Sequence, residues 1–283
     1  MMHYTIGVVG AGTMGKGVAE RFASYGHRVI LYDIDGDVRN RALSEIERNI
    51  RLQSMFNRKG AMPDIKTTMG NIEVAGTYQD LSEADFIIEN VREDMEVKAQ
   101  VYENLDKICA PDCIYMANTS CISITRLGAG TYRASSVIGV HFMNPVPMKH
   151  FVEIIRGHHT SIETIERVCE LLKGVGMEWE IIKDSPGFVS NRLSHLFMNE
   201  AAFLVYEGIA EPHQIDAIFK KAYHHKMGPL ETADLIGLDT VLDSLKVLYE
   251  EYEDSKYRAC PLLKKMVRAG LHGKKSGEGF YKY

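Results

Sequence analysis

Apolar and polar positions follow two different periods along the first two thirds of the chain. Short apolar runs of strand length fall at residues 4–9, 28–33, 71–75, 86–90, 114–118, 137–141, 151–155 and 179–183. Between or after them, apolar residues recur at helical spacing, in a stretch reaching Tyr25 and at residues 95–109 and 161–175. A longer charged segment, residues 36–69, places Val38, Leu43, Ile46, Ile50, Leu52 and Met55 mainly at helical spacing. Lys59, Gly60, Ala61, Met62 and Pro63 form a stop signal, and residues 64–69 can start a second short helix. The pattern predicts a helical hairpin inserted before the third strand. Strands alternating with helices from a glycine-rich start imply an α/β fold, a Rossmann-type, doubly wound, mostly parallel sheet.

The period changes at Ser185-Pro186-Gly187, after which helical spacing continues with no clear strand. Residues 188–208 are apolar almost all round and read as a buried central helix, with further helices predicted at 212–223, 238–252 and 260–269. Two domains are expected: residues 1–184, binding a dinucleotide, and residues 185–283, an all-α domain for substrate and dimerisation. Apolar faces left exposed on so small a helical domain would favour a homodimer.

Composition removes several alternatives. A formal charge of −5 over 283 residues offers no general attraction to nucleic acid, and no apolar run approaches the ~20 residues of a membrane span. The opening residues Met1 to Thr5 lead directly into the first strand, so no targeting peptide is read and a cytoplasmic location is expected. The five cysteines, Cys109, Cys113, Cys121, Cys169 and Cys260, are scattered and lack a C-x-x-C pair, so reduced thiols are expected rather than disulfides or a metal site.

The strongest chemical signal is Gly10-Ala11-Gly12-Thr13-Met14-Gly15, set between the first strand and a helix. Gly10 permits a tight turn, Gly12 lets the main chain approach a pyrophosphate, and Gly15 allows close helix–strand packing. The helix N-terminus then aims its N–H groups at the phosphates. Asp33 closes the second strand 18 positions after Gly15, near the ~20 expected of a ribose-binding acid. Its carboxylate would repel the extra phosphate of NADP, so NAD is the expected cofactor.

Ligands of open α/β sheets lie beyond the carboxyl ends of the strands, which directs attention to Glu93, to Asn118, Thr119 and Ser120, and to His141. His141 precedes a stiff loop containing Pro145 and Pro147, and Glu153 follows in the next strand, near enough to reach an imidazole nitrogen. A histidine held by a carboxylate suits metal-free alcohol oxidation, because a base must take the hydroxyl proton as hydride leaves the same carbon. In that arrangement Glu153 fixes the tautomer of His141 and steadies the imidazolium.

These residues carry a resemblance that spans the chain. Gly10 to Gly15, Glu93 with Lys98, Asn118-Thr119-Ser120, the stretch from His141 to Pro147, Ser185-Pro186-Gly187-Phe188 with Asn191-Arg192, Met227-Gly228-Pro229-Leu230, Gly237-Leu238-Asp239-Thr240, and the stretch from Gly273 to Tyr281 are similar to the 3-hydroxyacyl-CoA dehydrogenase family. Within it, the chain looks most like the short bacterial 3-hydroxybutyryl-CoA dehydrogenases. The resemblance implies that His141 and Glu153 are the catalytic pair. It further implies that Ser120 contacts the substrate hydroxyl or nicotinamide and that Asn191 supports the substrate carbonyl. Glu93, Lys98 and Lys275 match positions that touch NAD, and Asn118 joins the cofactor-binding set.

The handle that carries the acyl group is less directly written. Residues 36–69 hold a net charge of +3 in an otherwise acidic chain, which suits the phosphates of coenzyme A but equally suits a solvated helical face. Lys226 replaces a proline usual in the family, and Met148-Lys149-His150 departs from the usual apolar-Met-Lys, which puts acyl length and carrier identity in question. A sister group with the same parts acts on acyl groups attached to an acyl carrier protein, including glyceryl thioesters for polyketide extender units. A third reading, a catalytically idle crystallin-like structural protein, is opposed by the joint retention of His141, Glu153, Ser120 and Asn191.

Overall fold

A computed structural model describes residues 3–56 and 64–283, so the Lys59 to Pro63 stop signal lies outside the described residues. The chain divides into two compact units, Met1–Asp184 and Ser185–Tyr283.

The first unit is built on an eight-stranded sheet: β1 (Thr5–Val9), β2 (Arg28–Tyr32), β3 (Ile72–Val74), β4 (Phe86–Glu89), β5 (Ile114–Ala117), β6 (Val137–Phe142), β7 (Phe151–Arg156) and β8 (Glu178–Lys183). Their order is β3-β2-β1-β4-β5-β6-β7-β8, the switch point lying between β1 and β4. Neighbouring strands run parallel except where β7 pairs antiparallel with β6. The helices are α1 (Thr13–Ser24), α2 (Gly36–Phe56), α3 (Ile65–Gly70), α4 (Met95–Asp106), α5 (Ile124–Ala129) and α6 (Ile162–Gly174). The expected hairpin insertion is therefore α2 and α3, while the short α5 escaped the periodicity reading. Strand residues Ile6, Val8, Val29, Leu31, Phe86, Ile88, Met116 and Val140 meet helix residues Val18, Phe22, Ile46, Ile50 and Val168 in one buried core. Apolar runs occupy both faces of these strands, as a sheet covered on two sides requires.

The reversal at β7 has a simple cause. A parallel crossover needs a dozen or more residues, and the chain has only Met143 to His150 between β6 and β7. The two-proline loop is not wholly extended, because Val146–Met148 makes one 3-10 turn with Pro147 near its start, where the missing N–H costs nothing.

The second unit contains α7 (Ser190–Tyr206), α8 (Pro212–Ala222), α9 (Pro229–Ile236), α10 (Leu238–Tyr252) and α11 (Pro261–Arg268). Met198, Ala202, Leu238, Val241, Leu245, Leu263 and Met266 form its core. α7 corrects the expectation of a helix buried all round: its Met198, Ala201 and Ala202 face is buried, whereas Leu193 is 64% exposed and Tyr206 56%. Asp216 and Asp234 are buried and anchor the chain's last residues, Asp234 accepting from Phe280 N, Tyr281 N and the Tyr283 hydroxyl, and Asp216 from the Tyr281 hydroxyl. Among the described residues no helix is long and apolar enough to cross a membrane.

Candidate active site

The glycine turn is held by steric necessity. Gly10 has φ +93°, and a Cβ there would lie 2.7 Å from the Asn90 carbonyl oxygen. A Cβ on Gly15 would come within 1.7 Å of the Gly10 carbonyl oxygen, so any side chain would force α1 away from the turn. Gly12 differs, because a Cβ there would meet no protein atom within 4 Å. Its bareness serves approach from outside rather than internal packing, as a pyrophosphate cradle requires. Thr13 and Met14 begin α1, whose N-terminal N–H groups receive no side-chain cap from Gly12.

Asp33 completes this arrangement. Its Oδ2 accepts from Ala11 N at 2.7 Å and its Oδ1 from Asp35 N at 2.9 Å, fixing the carboxylate against the turn while leaving lone pairs for ribose hydroxyls. A cavity of about 710 Å³ opens here between Gly10, Gly12, Tyr32, Asp33, Tyr78 and Val97. Its size and a largely apolar wall that carries the Asp33 carboxylate beside the glycine turn fit an adenosine group. Beside it, Arg39 donates to the main-chain carbonyls of Asp33 and Ile34 and lies over the Tyr32 ring.

Farther along the strand ends, Glu93 organises the segment after β5. One carboxylate oxygen accepts from Thr119 Oγ1 at 2.5 Å and from Ser120 N and Cys121 N at 2.8 Å each. Asn118 spans three strand ends, donating to Asn90 Oδ1 at 2.7 Å and accepting from Phe142 N at 3.2 Å. Lys98 occupies a different place from the other cofactor candidates. Its side chain is fully buried, with Nζ 2.8 Å from both oxygens of Glu89 and 3.2 Å from the Asn118 carbonyl. Glu93 is 3.9 Å away. Lys98 thus braces the strand ends from within. Burial pushes the Glu89 carboxyl above its ordinary range, while Lys98 and Val91 N oppose that push. Glu89 was not singled out in the sequence, where it falls inside the run 86–90.

The antiparallel step places His141 and Glu153 directly opposite one another in β6 and β7. Both are buried, and His141 Nδ1 lies 2.9 Å from Glu153 Oε2. With Nδ1–H donating to the carboxylate, Nε2 becomes the basic nitrogen, and it lies 3.4 Å from Ser120 Oγ. Cys121, beside this serine, is a buried thiol. In the second unit, Asn191 lies in the first turn of α7, its carbonyl accepting from His195 Nδ1. Lys275 pairs with Asp239 at 2.7 Å in that same unit.

The basic character of residues 36–69 is partly neutralised. Among the described residues, Arg41 and Lys16 both face Glu45, and Arg51 pairs with Glu47. Arg58 and Lys59 lie outside the described residues.

Comparison with known proteins agrees with this layout. Residues 5–185 match the profile of the 3-hydroxyacyl-CoA dehydrogenase NAD binding domain, and residues 187–283 match the C-terminal domain of the same group. A probable 3-hydroxybutyryl-CoA dehydrogenase of Bacillus subtilis is 42% identical over 98% of this chain and 96% of its own. A 3-hydroxybutyryl-CoA dehydrogenase of Bradyrhizobium diazoefficiens is also 42% identical, over 98% of this chain and 94% of its own. The crystal structure of (S)-3-hydroxybutyryl-CoA dehydrogenase from Ralstonia eutropha superposes with a TM-score of 0.94 at 39% identity, covering 100% of this chain and 99% of that one.

Proposed function

The chain belongs to the 3-hydroxyacyl-CoA dehydrogenase family, NAD-dependent oxidoreductases, and from that premise we propose that it interconverts a short (S)-3-hydroxyacyl thioester, represented by 3-hydroxybutyryl-CoA, and its 3-oxoacyl form. The observation that carries this reading is the buried His141–Glu153 pair at the carboxyl end of β6, on the same sheet as the glycine turn.

In the oxidising direction, His141 Nε2 takes the hydroxyl proton. When bound, NAD supplies the acceptor for the hydride that leaves the carbinol carbon. Glu153 holds Nδ1–H, so the proton gained at Nε2 creates an imidazolium beside a carboxylate. Ser120 orients the substrate oxygen near Nε2, and the Glu93 carboxylate fixes the backbone that carries Ser120. Gly10 to Gly15 and Asp33 hold the dinucleotide, with Glu93, Asn118 and Lys275 completing its contacts. Lys98 supports them through Glu89 and Asn118. Asn191 supports the substrate carbonyl, where its amide meets developing negative charge. Oxidation starts from the neutral imidazole, which accepts the proton, and reduction starts from the imidazolium, which returns it.

The named relatives act on coenzyme A thioesters, which favours coenzyme A over a carrier protein as the handle. We place the enzyme in the cytoplasm as a homodimer formed through the second unit, whose Ile209 and Tyr223 are each 65% exposed. Sedimentation at the chain mass alone would overturn the dimer.

The test is NADH consumption with acetoacetyl-CoA. The wild-type chain should turn over and His141→Ala should fall by about 10²- to 10⁴-fold in kcat, the usual range for a general base. A His141→Ala enzyme that keeps its turnover overturns the assignment. NAD binding without turnover by the wild-type chain would instead favour the structural-protein reading. The same acyl group offered on coenzyme A and on a carrier protein decides the handle, with the coenzyme A thioester expected to react faster.

A further inference from the structure

A second cavity, of about 290 Å³, lies in the first unit between α1, α2 and the loop that follows His141. Its wall includes Glu20 from α1, Asn49 and Gln53 from α2, and Asn144, Pro147 and Met148 from the loop. None of the described residues lining it carries a positive charge. Glu20 is 3% exposed, and its hydrogen bond from Gln53 Nε2 is long, at 3.4 Å.

The neighbouring charges are committed elsewhere. On the same helix, Lys16 pairs with Glu45. Arg21 donates to the carbonyls of Val175, Pro147 and Gly176 and to His150 Nδ1. Across the cavity, α2 presents Asn49, Leu52 and Gln53, and the loop contributes no titratable side chain from Asn144 to Met148. A carboxyl in this position sits among amides and apolar groups, with no cation among the described residues to neutralise it.

Such a wall disfavours phosphate, because no cation among its described residues answers it and an ionised Glu20 would repel it. It suits a slender neutral chain with amide groups. At ~30 Å³ per water-sized occupant the volume holds on the order of ten heavy atoms, enough for part of an amide-bearing arm but not a nucleotide.

We infer that Glu20, as a neutral acid, is a specificity-determining residue that hydrogen-bonds the amide arm of the thioester substrate and makes substrate affinity depend on pH. The inference rests on the proposed thioester activity. Burial pushes the Glu20 carboxyl up to about 7, only partly offset by Gln53, so the group changes charge near neutrality. A neutral arm filling the cavity removes the water that would solvate a carboxylate, and therefore binds best while Glu20 keeps its proton. Affinity should fall as pH climbs above 7.

The experiment measures KM for acetoacetyl-CoA and for acetoacetyl-pantetheine, which lacks the nucleotide, from pH 6 to 8.5 in wild type and Glu20→Gln. The wild-type KM should rise roughly ten-fold across this interval for both thioesters, as one ionisation linked to binding allows. Glu20→Gln should show a much flatter KM profile with both. NAD affinity, measured by fluorescence, should follow the same pH curve in both proteins, which also reports that the variant is folded. An unchanged KM profile in Glu20→Gln overturns the inference, as does an effect seen with acetoacetyl-CoA but absent with acetoacetyl-pantetheine. If the wild-type chain turns over neither thioester, the proposed function itself fails, an outcome distinct from either of these.

Discussion

Asp33 and Glu20 show how one carboxylate can be read from sequence and another cannot. Asp33 was legible because it ends a strand at a fixed interval from a glycine turn, a spacing set by the length of one helix. Its two backbone hydrogen bonds mean that Asp33→Ser should both loosen the turn and lose the ribose contact. The expected outcome is a fall of ten-fold or more in kcat/KM with NAD, about 1.4 kcal/mol of transition-state binding, with a relative gain for NADP. Glu20 looks in sequence like any polar residue on an amphipathic helix, and only the packing of α2 and the loop removes it from water. The folded chain keeps its proton up to about 7 and an ordinary glutamate only to 4.5, so between these values the folded state binds more protons than the unfolded one. Stability therefore falls as pH rises through this window. At pH 8 Glu20→Gln should be more stable than wild type by about 2–3 kcal/mol, and by little at pH 4, as chemical denaturation at the two pH values will report.

At the scale of elements, the parallel strands and their helices were readable because a covered sheet demands apolar runs and an amphipathic helix demands periodicity. The misses have specific causes. α9 was overlooked because Gly228-Pro229 reads as a break, whereas proline at the first helical position is a start signal. α5 holds only six residues, too few to display a period. The reversal of β7 could have been deduced from the brevity of its connection, and with it the facing of His141 and Glu153. The Lys98–Glu89 pair joins α4 to the end of β4 and tests how strongly these elements depend on one another. Lys98→Met should cost about 3–5 kcal/mol, because it strands a buried carboxylate. Adding Glu89→Gln should recover part of the loss, and an additive double-mutant cycle measured by denaturation would show the two to be uncoupled.

For the whole molecule, the change of period at Ser185 marked a boundary in the sequence, and the compact units divide at the same bond. How the final residues are tied down was not visible, since Asp216 and Asp234 lie far from Tyr281 and Tyr283 along the chain. Removing Tyr281, Lys282 and Tyr283 would withdraw two hydroxyl donors and one main-chain donor from these buried carboxylates. A buried acceptor left unmet costs about 1–3 kcal/mol, so the truncated chain should unfold at distinctly lower denaturant, and the second unit should exchange its amides faster.

The hairpin-like return from β6 to β7 carries a consequence beyond its local geometry. A histidine and a carboxylate that sit on facing rungs of a backbone ladder inherit their spacing from main-chain hydrogen bonds, so the His141–Glu153 pair stands assembled by the fold itself. Changes that retune which acyl chain is accepted can then accumulate in surrounding loops and helices without disturbing acid–base alignment. Diversification of substrate on this scaffold is, in that sense, decoupled from the chemistry it performs.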